Sequence, residues 1–205
     1  MRGLVRVGAA VPSLALGNVK ENMKRHLAMM REAKEKHVSI VTFPELSLTG
    51  YTCGDLFFQR RLLDDVTDAL LALKDEMPEG ILAVVGAPLE IEGALYNCAV
   101  VLHKGEIISA VPKTFLPNNG EFYEKRWFQS GDARRDASVA IPKLKTDVCR
   151  QAIFETEDGV RFGIELCEDL WAPLPPSTML SVEGAEIILN LSASNELLSK
   201  REYRQ

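Results

Sequence analysis

Arg161-Phe162-Gly163-Ile164-Glu165-Leu166-Cys167-Glu168-Asp169-Leu170-Trp171 reads as an apolar strand that stops at a cysteine. Two acids and a tryptophan follow, then the proline-rich stretch from Ala172 to Pro176. A thiol at a strand end, at the mouth of a turn, is where a nucleophile can meet a substrate. Two residues earlier the same thiol would be a core side chain. Free cysteine is among the most buried residue types and is usually inert. Cys167 therefore needs a base and a cation beside it before it can react. Far upstream the chain offers one candidate for each, Glu45 and Lys113.

Glu45 follows the run Val41-Thr42-Phe43 and Pro44. Proline lacks an N–H and fixes φ, so it ends a strand ladder and leaves the glutamate at a strand end. Leu46, Leu48 and Tyr51 offer apolar surroundings that would raise the carboxyl toward a useful general base. The alternative is a solvated loop acid. Lys113 sits in Val111-Pro112-Lys113-Thr114-Phe115-Leu116-Pro117, an unusual setting for a surface lysine. It could stabilise an oxyanion or lower a thiol's pKa, or simply snorkel over a sheet edge. Each of the three residues lies just past an apolar run. In a sheet with parallel neighbours, the strand C-termini gather on one edge, where ligands bind. An acid, an amine and a thiol gathered there suffice for acyl transfer.

Working outward, Leu4 to Ala10, Val38 to Phe43 and Ile81 to Gly86 read as strands. Asn18 to His37 reads as a helix capped by Asn18, with Glu21 three residues on, and Met23, Leu27 and Met30 share one face. Leu56 to Met77 reads as one amphipathic helix stopped by Pro78. Leu95 to His103 and Glu106 to Val111 form a hairpin across Lys104-Gly105. Gln151 to Thr156 and Val160 to Leu166 form another across Glu157-Asp158-Gly159. Ser177 to Glu183 is a short helix, Glu186 to Leu191 a last strand, and Asn195 begins a charged helix. Strands that are apolar on both faces need cover on both, by helices on one side and a second sheet on the other.

The 205 residues suit one sizeable domain, and the net charge of −5 has both signs interspersed, which argues against nucleic acid or an anionic membrane as partner. No run of 18 apolar residues is present, and the N-terminus enters a strand pattern directly, without a signal-peptide core. Cys53, Cys98, Cys149 and Cys167 include no C-x-x-C pair, so neither structural zinc nor a disulfide framework is expected, and a reducing cytoplasm fits. His26, His37 and His103 are expected at surface or boundary positions, with no route to Cys167 as a papain-like base.

Phe43-Pro44-Glu45-Leu46, Pro112-Lys113-Thr114-Phe115-Leu116-Pro117 and Glu165-Leu166-Cys167-Glu168-Asp169, in that order, resemble the Glu, Lys and Cys motifs of the nitrilase (carbon–nitrogen hydrolase) superfamily. Several further segments resemble the glutaminase domain of glutamine-dependent NAD+ synthetases. They are Thr49-Gly50-Tyr51, Gly54-Asp55-Leu56, Phe122 to Phe128, Cys167 to Trp171 and Asn190 to Ser194. The resemblance covers essentially the whole chain. It implies an α/β fold, a four-layer αββα sandwich, apparently truncated at the C-terminus. Residues 1–205 would be a single, incomplete hydrolase domain without its synthetase domain.

The same resemblance implies hydrolysis of the glutamine side-chain amide through a thioester on Cys167, with Glu45 as base, Lys113 on the oxyanion and Glu121 as a second, orienting glutamate. Glu168 would bind the glutamine α-amino group, and Ser194, or else Ser192, would bind its backbone. Ammonia would pass to a synthetase domain. No metal or cofactor is expected in this chain, ATP and magnesium belonging to the synthetase domain. The expected partners are L-glutamine, that domain and further copies in a homo-oligomer, with no nucleic acid and no membrane. Where relatives often carry Tyr-Arg, this chain has Asn119-Gly120, and the family tyrosine would wall the substrate pocket. Two other readings stay open, a free-standing amidase on another small amide and a catalytically silent oligomerisation module.

Overall fold

The computed structural model describes residues 4–133 and 138–203. Two sheets carry the fold. The first has seven strands in the order β1-β2-β3-β4-β5-β7-β6, and the second has three in the order β10-β9-β8. In chain order the strands are β1 (Val7–Ala9), β2 (Ile40–Thr42), β3 (Leu82–Ile91), β4 (Ala94–His103), β5 (Glu106–Pro112), β6 (Ser138–Ile141), β7 (Thr146–Cys149), β8 (Ile153–Glu155), β9 (Arg161–Leu166) and β10 (Ile187–Leu191). The helices are α1 (Val19–Glu35), α2 (Arg60–Glu76), α3 (Pro176–Val182) and α4 (Lys200–Tyr203). The charged helix expected from Asn195 starts only at Lys200, and residues 204–205 lie outside the described residues.

Layering follows from which strand faces are apolar. One core joins α1 and α2 to the large sheet through Leu27, Met30, Val66, Leu70, Leu73, Val85 and Val100. A second core lies between the sheets, where Ile40, Val84, Ala99, Val101 and Val111 meet Phe162, Ile164, Leu166, Leu189 and Leu191. The short helix α3 packs on β9, and Gly163 makes this possible: a Cβ there would lie 2.8 Å from Leu180 Cδ1. The order is therefore helices, sheet, sheet, helix, as expected for the αββα sandwich.

Local chemistry explains most boundaries. Asn18 caps α1, its Oδ1 accepting from Glu21 N at 3.2 Å. The Lys104-Gly105 turn between β4 and β5 has both φ angles positive, 51° and 77°, the twist that a two-residue hairpin needs. Two expectations require correction. The helix expected over Leu56 to Met77 is interrupted at Gln59, which is extended, and a 3₁₀ turn over Gly54–Phe58 precedes α2. Here tertiary contacts win over helical propensity: Phe57 packs against Phe128 at 5.0 Å, and Asp55 accepts from Arg126 and Trp127. The strand expected to end at Gly86 continues to Ile91 and turns through Glu92-Gly93, a hairpin signal masked by Pro88. The β6–β7 hairpin was not anticipated, because Thr146-Asp147-Val148-Cys149 carries too little apolar alternation to be legible.

β2 and β3 run parallel, and β3, β4 and β5 alternate direction, so β2 and β5 point the same way. Their C-terminal ends, at Pro44-Glu45 and Pro112-Lys113, therefore emerge on one edge. Gly86 lets the first of them pass. A Cβ on Gly86 would meet Pro44 O at 2.3 Å and Leu46 N at 2.4 Å, both backbone atoms. Gly86→Ala is thus expected to push the Glu45 segment aside and to cost roughly 1–3 kcal/mol as an overpacked site. A thermal unfolding scan on the variant tests this, and an unchanged midpoint would show that the loop is free to move.

Candidate active site

The Glu45 segment turns sharply after β2, with Leu46 at φ 51°. Behind it, α1 presents three buried polar contacts. Asn22 donates to Leu48 O at 3.0 Å, and His26 meets Asn22 O at 2.7 Å and Ser47 Oγ at 2.9 Å. A carbonyl can only accept, so His26 Nδ1 carries the hydrogen and Nε2 accepts from Ser47. His26 is therefore no surface residue: it is fully buried and packs on Phe43 in a tilted pair, ring centroids 4.3 Å apart. Burial pulls its pKa down to about 4 against the pull of the Asn22 carbonyl. Between pH 6.5 and about 4 the unfolded chain binds the proton and the folded chain does not, so this contribution to stability is lost as pH falls through that window. The unfolding midpoint is expected to drop across it, and His26→Gln to flatten the slope. An identical slope in that variant would assign the acid sensitivity elsewhere.

Glu45 and Lys113 are both sealed from solvent, at 1% and 0% exposure, so neither is the solvated loop acid or the snorkelling lysine. Lys113 Nζ donates to Glu45 Oε1 at 2.6 Å and to Glu124 Oε1 at 2.6 Å. Burial alone would push Lys113 down, but the two carboxylates outweigh it and hold the ammonium charged well past neutrality. The second glutamate beside the lysine is Glu124. Glu121, expected in that place, is exposed. The correction has a local cause. The chain turns at Glu124–Arg126 in a 3₁₀ turn, anchored to the Gly54–Phe58 turn through Asp55, and this rotates Glu124 inward. Tyr51 Oη also donates to Glu124 Oε1, at 2.6 Å. Burial, with Glu45 close by, pushes Glu124 upward despite Lys113.

Cys167 arrives from the other sheet, at the end of β9. It is buried and has φ 44°, a left-handed conformation that costs a non-glycine residue roughly 1–2 kcal/mol. Such strain is characteristic of functional turns. Burial and the charge of Glu45 push the thiol up to about 11, against Lys113, the Ala193 N–H and the Ser192 hydroxyl. The resting residue is thus a thiol rather than a thiolate, and its proton needs an acceptor. The Ala193 N–H also donates to Glu45 Oε2 at 3.2 Å, so one backbone donor serves the acid and the sulfur together. The acid, the amine and the thiol converge.

Asp169 holds the two halves in register. Its buried carboxylate accepts from Thr114 N at 3.0 Å and Phe115 N at 2.7 Å, directly after Lys113, and from Leu166 N at 3.0 Å, directly before Cys167. Burial pushes Asp169 up to about 7, opposed by those N–H groups and by Lys113.

The remaining expected residues are placed unequally. Glu168 is half-buried and lines a cleft of about 440 Å³ with Thr114, Phe115, Lys125 and Trp171. Ser192 donates to Asn190 Oδ1 at 2.6 Å and lies against the thiol. Ser194, favoured from the sequence, instead receives a hydrogen bond from Lys200 at 2.6 Å. Sequence reading missed Glu124, Asn97 and Asp169. Asp169 stood inside the quoted cysteine segment, and Glu124 directly after Phe122-Tyr123, but only the turn geometry shows which acid faces inward. Among the described residues, no group of three or more His, Cys, Asp or Glu side chains is placed to hold a metal ion, and no helix is long and apolar enough to cross a membrane.

The description of the carbon–nitrogen hydrolase family matches residues 6–204. The chain belongs to that family. Among curated proteins, a glutamine-dependent NAD(+) synthetase from Mycobacterium tuberculosis is 36% identical over 206 residues, covering 99% of this chain and 30% of the relative. The crystal structure of a glutamine-dependent NAD(+) synthetase from Cytophaga hutchinsonii superposes with a TM-score of 0.84 at 28% identity, covering 98% of this chain and 32% of that one. An amidase from Nesterenkonia sp. shares the fold, with a TM-score of 0.75 at 17% identity over 96% of this chain and 68% of its own. The chain therefore spans about 30% of the length of the curated relative it matches. As a carbon–nitrogen hydrolase with a nitrilase-like sandwich, it carries the acid–lysine–cysteine cluster at one edge of the large sheet, where the second sheet delivers the thiol.

Proposed function

We propose that this carbon–nitrogen hydrolase cleaves the side-chain amide of glutamine through a thioester on Cys167. The observation that supports the reading best is a cysteine in a left-handed conformation at the end of β9, gathered with a buried lysine that two glutamates hold. Glu45 accepts the thiol proton as sulfur bonds to the amide carbon. An ammonium has three N–H bonds. Two of those on Lys113 point at Glu45 and Glu124, and the third serves the oxyanion. Collapse breaks the carbon–nitrogen bond, and the proton held by Glu45 passes to the departing nitrogen, which leaves as ammonia. Water then gives a proton to Glu45, attacks the thioester and releases glutamate, returning the proton to sulfur. Glu124 orients the lysine, and the Glu168 carboxylate pairs with the substrate ammonium.

The similarity to NAD(+) synthetases supports glutamine as substrate and a synthetase domain as the consumer of ammonia. Incubation with glutamine is expected to release glutamate and ammonia in equal amounts, and added hydroxylamine to divert the acyl group to a hydroxamate. No turnover of glutamine together with turnover of other small amides would replace glutamine with a different amide substrate. No turnover of any amide, with Cys167 no more reactive than Cys53 or Cys98, would leave a silent module.

A further inference from the structure

We propose that Asn97 is a positioning residue that fixes which oxygen of Glu45 serves as the base. The inference rests on the thioester reading above and adds a residue to it. Asn97 is fully buried on β4, beside the end of β5, and its carbonyl accepts from Lys113 N at 2.8 Å. Its Nδ2 donates to Glu45 Oε1 at 2.7 Å. Because Lys113 Nζ donates to that same oxygen, Oε1 holds two donors, one of them charged. Among the described residues, Oε2 receives only the Ala193 N–H, at the longer distance of 3.2 Å, from the donor that also serves Cys167. Oε2 is thus the less saturated oxygen, and in the thioester reading the thiol proton goes to it.

The orientation of the Asn97 amide follows from the same contact. Its Oδ1 has no protein partner although it is buried, so nothing on that side selects the pose. Turned over, the amide would set an oxygen against a carboxylate oxygen. The contact to Glu45 therefore decides it, and the reciprocal effect is to stop the carboxylate rotating about its own axis. Without Asn97, Lys113 alone would hold Oε1, and the two carboxylate oxygens could exchange places. Among the described residues, the ionisable groups tied to this contact through Glu45 and Lys113 are Glu45 after β2, Tyr51 in the following loop, Lys113 after β5, Glu124 in its 3₁₀ turn and Cys167 after β9.

Two variants of the whole chain test this, Asn97→Leu and Asn97→Asp, each with two readouts. One is alkylation of Cys167 by iodoacetamide, followed by peptide mass spectrometry, in which the thiol proton leaves as the carbon–sulfur bond forms and iodide departs. The other is glutamate release from glutamine. Asn97→Leu is expected to slow alkylation and to lower kcat by on the order of 10- to 100-fold, the range of a misplaced general base, with KM within about threefold. Asn97→Asp can donate only while its carboxyl holds a proton, so its rate relative to the unsubstituted chain is expected to climb as pH falls from about 8 to about 5.5. Alkylation of Asn97→Leu within about threefold of the unsubstituted rate, or a flat ratio for Asn97→Asp, overturns the proposal. If Asn97→Leu does not fold, the Asn97→Asp profile decides alone. Slowed alkylation in a chain that ignores glutamine keeps Asn97 in its role and removes glutamine, whereas full glutamine turnover in Asn97→Leu keeps glutamine and removes Asn97.

Discussion

Lys113→Met is expected to abolish measurable amide hydrolysis and to destabilise the chain at the same time. Methionine matches the length of the lysine stem and packs well, so the change isolates the charge. Loss of one oxyanion donor costs on the order of 100- to 1000-fold in kcat. The structural cost is separate. Glu45 and Glu124 would remain at 1% exposure with their shared cation gone, and breaking a buried pair from one side costs about 3–5 kcal/mol. Two carboxylates lose their cation here, so the upper end of that range is expected. Lys113→Arg should not restore activity, because a planar guanidinium cannot occupy a fully buried position shaped around a single nitrogen. Glutamate release and a thermal unfolding scan on both variants check the two claims independently. Turnover within about threefold of the unsubstituted chain would remove the oxyanion role.

Cys167→Ala is expected to have the opposite signature, with activity lost and fold retained. The nucleophile is the one group for which neighbours cannot substitute, and its removal should cost on the order of 10⁴-fold or more. Alanine keeps the left-handed backbone at φ 44° and removes only the sulfur, so the unfolding midpoint should move little. Cys167→Gly should raise it, since glycine adopts this conformation without the roughly 1–2 kcal/mol penalty. If Cys167→Ala retains hydrolysis, the acyl group is carried elsewhere and the thioester is excluded. If Cys167→Gly is less stable than Cys167→Ala, the backbone there is not under strain.

The strand-ending positions of Glu45, Lys113 and Cys167 were legible because proline and a break in apolar periodicity mark a strand terminus in the sequence itself. The helix α1, its Asn18 cap and the β4–β5 hairpin were legible for the same reason, each resting on local chemistry. What stayed hidden depends on contacts between distant segments. Glu121 and Glu124 stand in one loop with equal local claims, and only the tie from Asp55 to Arg126 and Trp127 turns the second inward. Asn97 looked like one polar residue in an apolar strand, because its meaning lies in a carboxylate 52 positions away. His26 carried the surface expectation of any histidine on an amphipathic helix, and the loop it supports reached it only through folding.

The Ala193 N–H meets the carboxylate of a residue 148 positions earlier. A nascent chain that has emerged with its sulfhydryl but not yet with residue 193 lacks that bond, and its nucleophile has no completed surroundings. The cluster therefore closes only when nearly everything between has docked, an arrangement of high contact order that slows folding.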